Sequence, residues 1–175
     1  MHVKKVAAIN DLSGIGRCSL TAAVPVLSAM SVQACPVPTA VLTNQTGFDS
    51  FYMDDCTDKI DKYITEWKKL NCSFDCIYTG FLSSAEQISA IRRFTKEFKQ
   101  KNTILLVDPV MADNGKIYGT YTNELCKELS DFALTADVIT PNLTEACLLA
   151  GESYDEYSKL SEKLCFKSFE KMMFA

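Results

Sequence analysis

Histidine is almost absent from this chain, with a single copy at position 2. Of the eight cysteines, Cys72 and Cys76 are the closest pair, and no second pair completes a tetrahedral set, which excludes a structural zinc centre. Glycine and proline are sparse, at seven and five residues, so collagen-like and low-complexity chains are excluded. No long apolar run occurs near the start, where MHVKKVAAIN reaches the polar pair Asn10-Asp11 too soon for a signal peptide or a membrane span. Without a leader, the cysteines read as reduced core thiols and the protein as cytoplasmic. Basic clusters are also lacking. Lys and Arg number 18 against 22 Asp and Glu, a net charge of −4, which argues against a nucleic-acid partner.

What is there is an ordinary globular composition, 47% hydrophobic and 23% charged, in 175 residues, enough for one domain with a sizeable core. Short apolar runs alternate with longer amphipathic segments. The pattern predicts a strand over Val3–Ile9, a polar turn over Asn10–Gly16 and an apolar helix over Arg17–Met30. A proline-broken strand is expected over Val32–Pro38, leading into Ala40-Val41-Leu42. A helix over Asp54–Leu70 follows, with Asp54, Asp55 and Asp58 at its start, where the helix dipole favours acids. Strands at Asp75–Thr79, Thr103–Val107 and Val138-Ile139 alternate with helices beginning near Ser84, Thr122 and Asn142, and a long loop runs from Asp108 to Gly119. Strands separated by helices of this length are parallel neighbours, so the fold class is α/β with a mostly parallel sheet.

Ligands of open α/β sheets sit outside the carboxyl ends of the strands. That rule selects five loops: 10–16, 43–48, 79–82, 108–118 and 140–145. The first, Asn10-Asp-Leu-Ser-Gly-Ile-Gly, lacks both the GxGxxG spacing and the P-loop lysine, and reads equally as a capped turn. Thr43-Asn-Gln-Thr-Gly is a polar pentad that also suits a solvated loop, and Phe81 after Thr79-Gly80 also suits a core position. Asp108 and Asp113 are two carboxylates five apart at the end of a buried strand, costly unless a cation or donor lies between them. Asn142 and Glu145 read either as a helix cap with its partner or as site residues. Hard oxygen ligands from Asp108, Asp113 and Glu145 suit magnesium with retained waters.

Five blocks carry a resemblance: NDLSGIGRCSLTAA from Asn10, PTAVLTNQTGF from Pro38, YTGFL from Tyr78, DPVMADNG from Asp108 and ITPNLTEA from Ile139. In this order and spacing they resemble the pyridoxal (pyridoxine/pyridoxamine) kinases of the ribokinase-like superfamily. The resemblance implies a three-layer α/β/α fold and transfer of the ATP γ-phosphate to the 5′-hydroxymethyl group of a vitamin B6 vitamer, in a cytoplasmic homodimer. Asp11 and Ser13 would lie by the pyridine ring, Thr46 would contact its polar substituents, Phe81 would pack on it, and Tyr118 would fall in the loop over the substrate. Asp108, Asp113, Thr140, Asn142 and Glu145 would face the ATP phosphates, with Asp108, Asp113 and Glu145 holding Mg2+ through water.

The chain also departs from the family pattern. Phe81 stands where relatives often carry tyrosine, and Ala112 where many carry glycine. The family's Gly-x-Gly-Asp turn, whose aspartate takes the hydroxyl proton, has no counterpart here, because the only Gly-x-Gly, Gly14-Ile15-Gly16, is followed by Arg17. The resemblance fades after about Cys165. The expectation is therefore that residues 1–165 form the N-terminal part of a kinase domain, incomplete on its C-terminal side, with 166–175 a divergent tail. The alternatives are a non-catalytic fragment that binds ligand or dimerises, and a related kinase acting on hydroxymethylpyrimidine or a sugar.

Overall fold

The first apolar run, buried on both faces from Val6 to Asp11, forms the centre of the sheet, as strands covered on two sides do. The computed structural model describes residues 3–159. The elements run β1 (Lys5–Ile15), α1 (Ser19–Ala29), β2 (Gln33–Asn44), β3 (Met53–Asp55), α2 (Thr57–Lys69), β4 (Cys76–Thr79), α3 (Ala85–Phe98) and β5 (Ile104–Val107). There follow β6 (Ala112–Asp113), β7 (Lys116–Ile117), α4 (Asn123–Ala133), β8 (Val138–Ile139), α5 (Leu143–Ala150) and α6 (Tyr154–Tyr157). One sheet has the order β3-β2-β1-β4-β5-β8, parallel except for β3, and β6-β7 is a separate hairpin. The α/β class is as expected. The boundary at residue 165 and the tail 166–175 lie outside the described residues.

Four local expectations are corrected. The stretch Asn10–Gly16 is not mainly a turn, because β1 runs through it to Ile15, paired with β2 across an irregularity between Asn10 and Leu12. Pro36 and Pro38 do not break β2. Gln33 N–H donates to Lys4 O on the β1 side, so residues 34, 36 and 38 turn their missing or free donors to the outer side, which β3 reaches only at Ala40–Leu42. Asp54 and Asp55 belong to β3 rather than to the helix, although Asp55 still accepts from Thr57 N–H at 2.7 Å. The loop 108–119 folds back as β6-β7.

Alternate residues of each strand face different layers. Ala7, Ile9, Val37, Ile77, Leu105 and Val107 join one core with residues of α2, α3 and α4. A cluster of Trp67, Phe74, Phe94 and Phe98 closes its lower end with ring centroids 4.8–6.3 Å apart. Among the described residues, the opposite face is covered by α1 only over β1 and β2. Along the register Ala8–Tyr78–Leu106–Val138, exposure therefore rises from 0% at Ala8 to 44% at Val138. Among the described residues no helix is long and apolar enough to cross a membrane.

Candidate functional site

Ile9, Thr79, Val107 and Ile139 are register partners across β1, β4, β5 and β8. The residues that follow them, Asn10, Gly80, Asp108 and Thr140, therefore line one edge of the sheet, its carboxyl end. Asp11 and Asp108 share that edge.

A cavity of about 200 Å³ opens there, lined by Asp11, Ser13, Leu42, Thr46, Phe81 and Tyr118 together with Cys18, Ser19, Gln45, Val110 and Thr120. Asp11 and Ser13 share a face of β1 by the two-residue period, and the Ser13 hydroxyl donates to Asp11 Oδ2 at 2.8 Å. Both are buried. Phe81 is fixed on three sides. Its N–H donates to Asn10 Oδ1 at 2.9 Å, its carbonyl accepts from the Thr39 hydroxyl at 2.8 Å, and its ring meets Tyr121 edge to face at 6.1 Å. Tyr118 reaches the cavity from the β6-β7 side, its N–H bonded to Met111 O at 3.0 Å. Burial pushes its phenol pKa up, and the negative charges of Asp113, Glu145 and Asp108 add to the shift. All five residues expected around a ring substrate thus line one cavity. Cys18, Ser19, Leu42, Gln45, Val110 and Thr120 were not anticipated as lining, although all but Thr120 fall inside the quoted blocks.

The second group divides. Asn142 and Glu145 form a complete capping box at the start of α5: Asn142 Oδ1 accepts from Glu145 N–H at 3.0 Å, and Glu145 Oε2 accepts from Asn142 N–H at 2.9 Å. The same two side chains grip the preceding loop, Glu145 Oε1 accepting from Met111 N–H at 3.2 Å and Asn142 Nδ2 donating to Ala112 O at 2.8 Å. Desolvation raises the Glu145 pKa, opposed by these amides and helped by the charge of Asp108. Asp113 stands exposed in the hairpin, bonded to Asn114 N–H and Nδ2 at 2.8 and 3.0 Å. Thr140 is exposed, with its N–H on Val107 O.

Asp108 differs from its neighbours. Among the described residues its carboxylate has no hydrogen-bond donor, and desolvation raises its pKa from 3.8 to about 6. Asp108, Asp113 and Glu145 do not form a direct ligand set, since no three acidic, cysteine or histidine side chains are grouped for a metal among the described residues. The physical reason is that Glu145 is consumed by its cap and Asp113 is carried into the hairpin turn. Of the three, Asp108 alone has a carboxylate that no donor reaches among the described residues.

A family model described as phosphomethylpyrimidine kinase matches residues 17–171. The chain belongs to the phosphomethylpyrimidine kinase family. Its similarity to a candidate pyridoxal kinase of Schizosaccharomyces pombe is 27% identity over 155 residues, covering 85% of this chain and 48% of the yeast protein. A crystal structure of a candidate phosphomethylpyrimidine kinase from Bacteroides thetaiotaomicron, in a form with pyridoxal, is 46% identical with a TM-score of 0.88, over 96% of this chain and 58% of that one. Pyridoxal kinase from Lactobacillus plantarum is 26% identical with a TM-score of 0.82, over 98% and 60%. The chain spans about half the length of the yeast relative. Both the resemblance to pyridoxal kinases and the ribokinase-like α/β fold it implied hold for this member of the phosphomethylpyrimidine kinase family.

Proposed function

We propose that the protein acts in ATP-dependent phosphorylation of the 5′-hydroxymethyl group of a B6 vitamer, with pyridoxal as acceptor. The observation that carries this is the cavity at the carboxyl edge of the sheet, where a carboxylate, four serine and threonine hydroxyls and two aromatic rings converge. A Bacteroides relative 46% identical to the chain was crystallised with pyridoxal, which supports the choice of acceptor. Phe81 offers a ring whose backbone is held by Asn10 and Thr39 and whose edge meets Tyr121, so stacking a pyridine on it costs little ordering. Asp11, oriented by Ser13, and Thr46 at the rim supply polar partners for ring substituents. The tyrosine hydroxyl that relatives often carry at position 81 is absent.

ATP would approach from the Asp108 side. Phosphoryl transfer depends on positioning and charge neutralisation more than on covalent chemistry. The Asp108 carboxylate fits a hydrated magnesium ion: it is a hard oxygen donor, desolvated, without a protein partner, and beside the Glu145 charge. Magnesium there would neutralise phosphate charge. Glu145 and Asn142 act indirectly, by fixing the 108–113 loop on the start of α5. The base for the hydroxyl proton belongs, by the family resemblance, to a Gly-x-Gly-Asp turn that these 175 residues do not contain. A cytoplasmic setting is supported by seven free cysteines among the described residues, and a homodimer by the exposed apolar residues Val26 on α1 and Met30 at its C-cap.

Calorimetry with pyridoxal tests the acceptor site. Asp11→Ala and Thr46→Val each leave ring polar groups unpaired and weaken binding by about 1–3 kcal/mol. Unchanged affinity in both variants would overturn the assignment. Product detection with ATP, magnesium and each vitamer, with hydroxymethylpyrimidine as competitor, tests the reaction class.

A further inference from the structure

We infer that Asn10, which does not line the cavity, is the positioning residue that sets its polar wall against its aromatic wall, and that Gly80 is glycine to make room for it. The inference rests on the acceptor site proposed above. Ile9 and Thr79 form the last register pair between β1 and β4. Beyond it the two chains part, β1 continuing along β2 while the β4 chain turns away toward α3. At this point β1 is also out of step with β2, since Asn10 pairs with Pro38 but Leu12 with Val41. The backbone amides of Asp11 and Phe81 therefore need acceptors where the ladder is interrupted.

One atom serves both. Asn10 Oδ1 accepts from Asp11 N–H at 3.0 Å and from Phe81 N–H at 2.9 Å, in a position only 3% exposed. The two residues so tied carry the buried carboxylate and the ring of the cavity. A Cβ at Gly80 would lie 2.2 Å from Asn10 Nδ2, 2.6 Å from Cγ and 2.8 Å from Oδ1, well inside contact distance. The backbone at Gly80 does not have a positive φ, so the demand for glycine comes from space and not from conformation. Any side chain at position 80 pushes the carboxamide off both amides. Asn10 makes no hydrogen bond to the loop 108–113 or the start of α5 among the described residues; its side chain also bonds Tyr78, whose phenol feels the Asp108 charge, so its loss should weaken the acceptor side far more than the nucleotide side.

The test uses the full chain with Asn10→Leu, which removes the acceptor atom, and Gly80→Ala, which displaces it. Pyridoxal binding should weaken by about 10- to 100-fold in both, with the affinity for ATP and magnesium changed by less than about threefold. Amide hydrogen exchange reads the same device without ligand: the Asp11 and Phe81 amides should be protected in the parent protein and lose protection in both variants. Equal protection in parent and variants overturns the inference, as does parallel loss of pyridoxal and nucleotide binding, which would mark a purely structural role. A parent protein that shows the protection pattern but binds no pyridoxal would instead sink the proposed acceptor site while leaving the tie between Asp11 and Phe81 standing.

Discussion

Replacing Asp108 by asparagine should make the protein more stable at neutral pH, although it removes a residue proposed for the phosphate side of the site. In the folded chain Asp108 holds its proton until about pH 6, against an ordinary value of 3.8, because it is desolvated and no donor among the described residues reaches it. Below pH 4 both folded and unfolded states are protonated and the residue contributes nothing. As pH rises from about 4 to 6 the unfolded state ionises first, unfolding releases a proton, and stability falls; above about pH 6 the loss is complete. A shift of this size corresponds to roughly 3 kcal/mol for a fully desolvated group, and partial solvent access at Asp108 reduces it to about 1–2 kcal/mol. Asparagine avoids the loss. Thermal melts at pH 4 and pH 7.5 should therefore coincide at the lower pH and differ by about 3–6 °C in favour of Asp108→Asn at the higher one. Glu145, whose pKa is also raised, contributes in the same direction to both proteins and largely cancels. Magnesium with ATP should raise the melting temperature of the parent protein more than that of the variant. A variant that melts at or below the parent at pH 7.5, or a difference that does not shrink at pH 4, would refute the reasoning.

Thr79 buries a hydroxyl with no hydrogen-bond partner, so Thr79→Val should stabilise the fold by about 1 kcal/mol in urea titration, provided the parent strand geometry is kept. Glu145→Ala removes half of the capping box and the anchor on Met111, and should cost about 1–3 kcal/mol in the same assay while loosening the 108–113 loop in hydrogen exchange. Ile104 and Val138, 48% and 44% exposed on the uncovered part of the sheet, form an apolar surface that should drive self-association. The double variant Ile104→Lys, Val138→Lys should lower light scattering of the 175-residue chain at equal concentration and leave its circular dichroism unchanged; equal scattering would place the contact elsewhere.

Patterns local in sequence were enough for the α/β class. Apolar runs such as Ile104–Val107, followed by amphipathic stretches with capping residues such as Ser84 and Thr122, specify strand and helix through side-chain period and end chemistry alone. The five site-bearing loops were legible for a related reason: in a parallel sheet every strand points the same way, so the residue after each strand must reach the same edge. The motif blocks added which of those residues are proposed to face a ring. Other features depended on contacts between residues far apart in the chain. Whether Asn10–Gly16 turns or continues as strand is decided by the β2 ladder, and whether Pro36 and Pro38 break β2 depends on which neighbour each donor would face. Asp108, Asp113 and Glu145 look alike as carboxylates in the sequence. Only the tertiary structure separates a helix cap, an exposed turn residue and a desolvated charge without a donor, because the partners of each are set by how the β6-β7 hairpin packs on α5. The shared acceptor at Asn10 has the same origin, since its second partner lies 71 residues away, across a gap that opens only where two strands part.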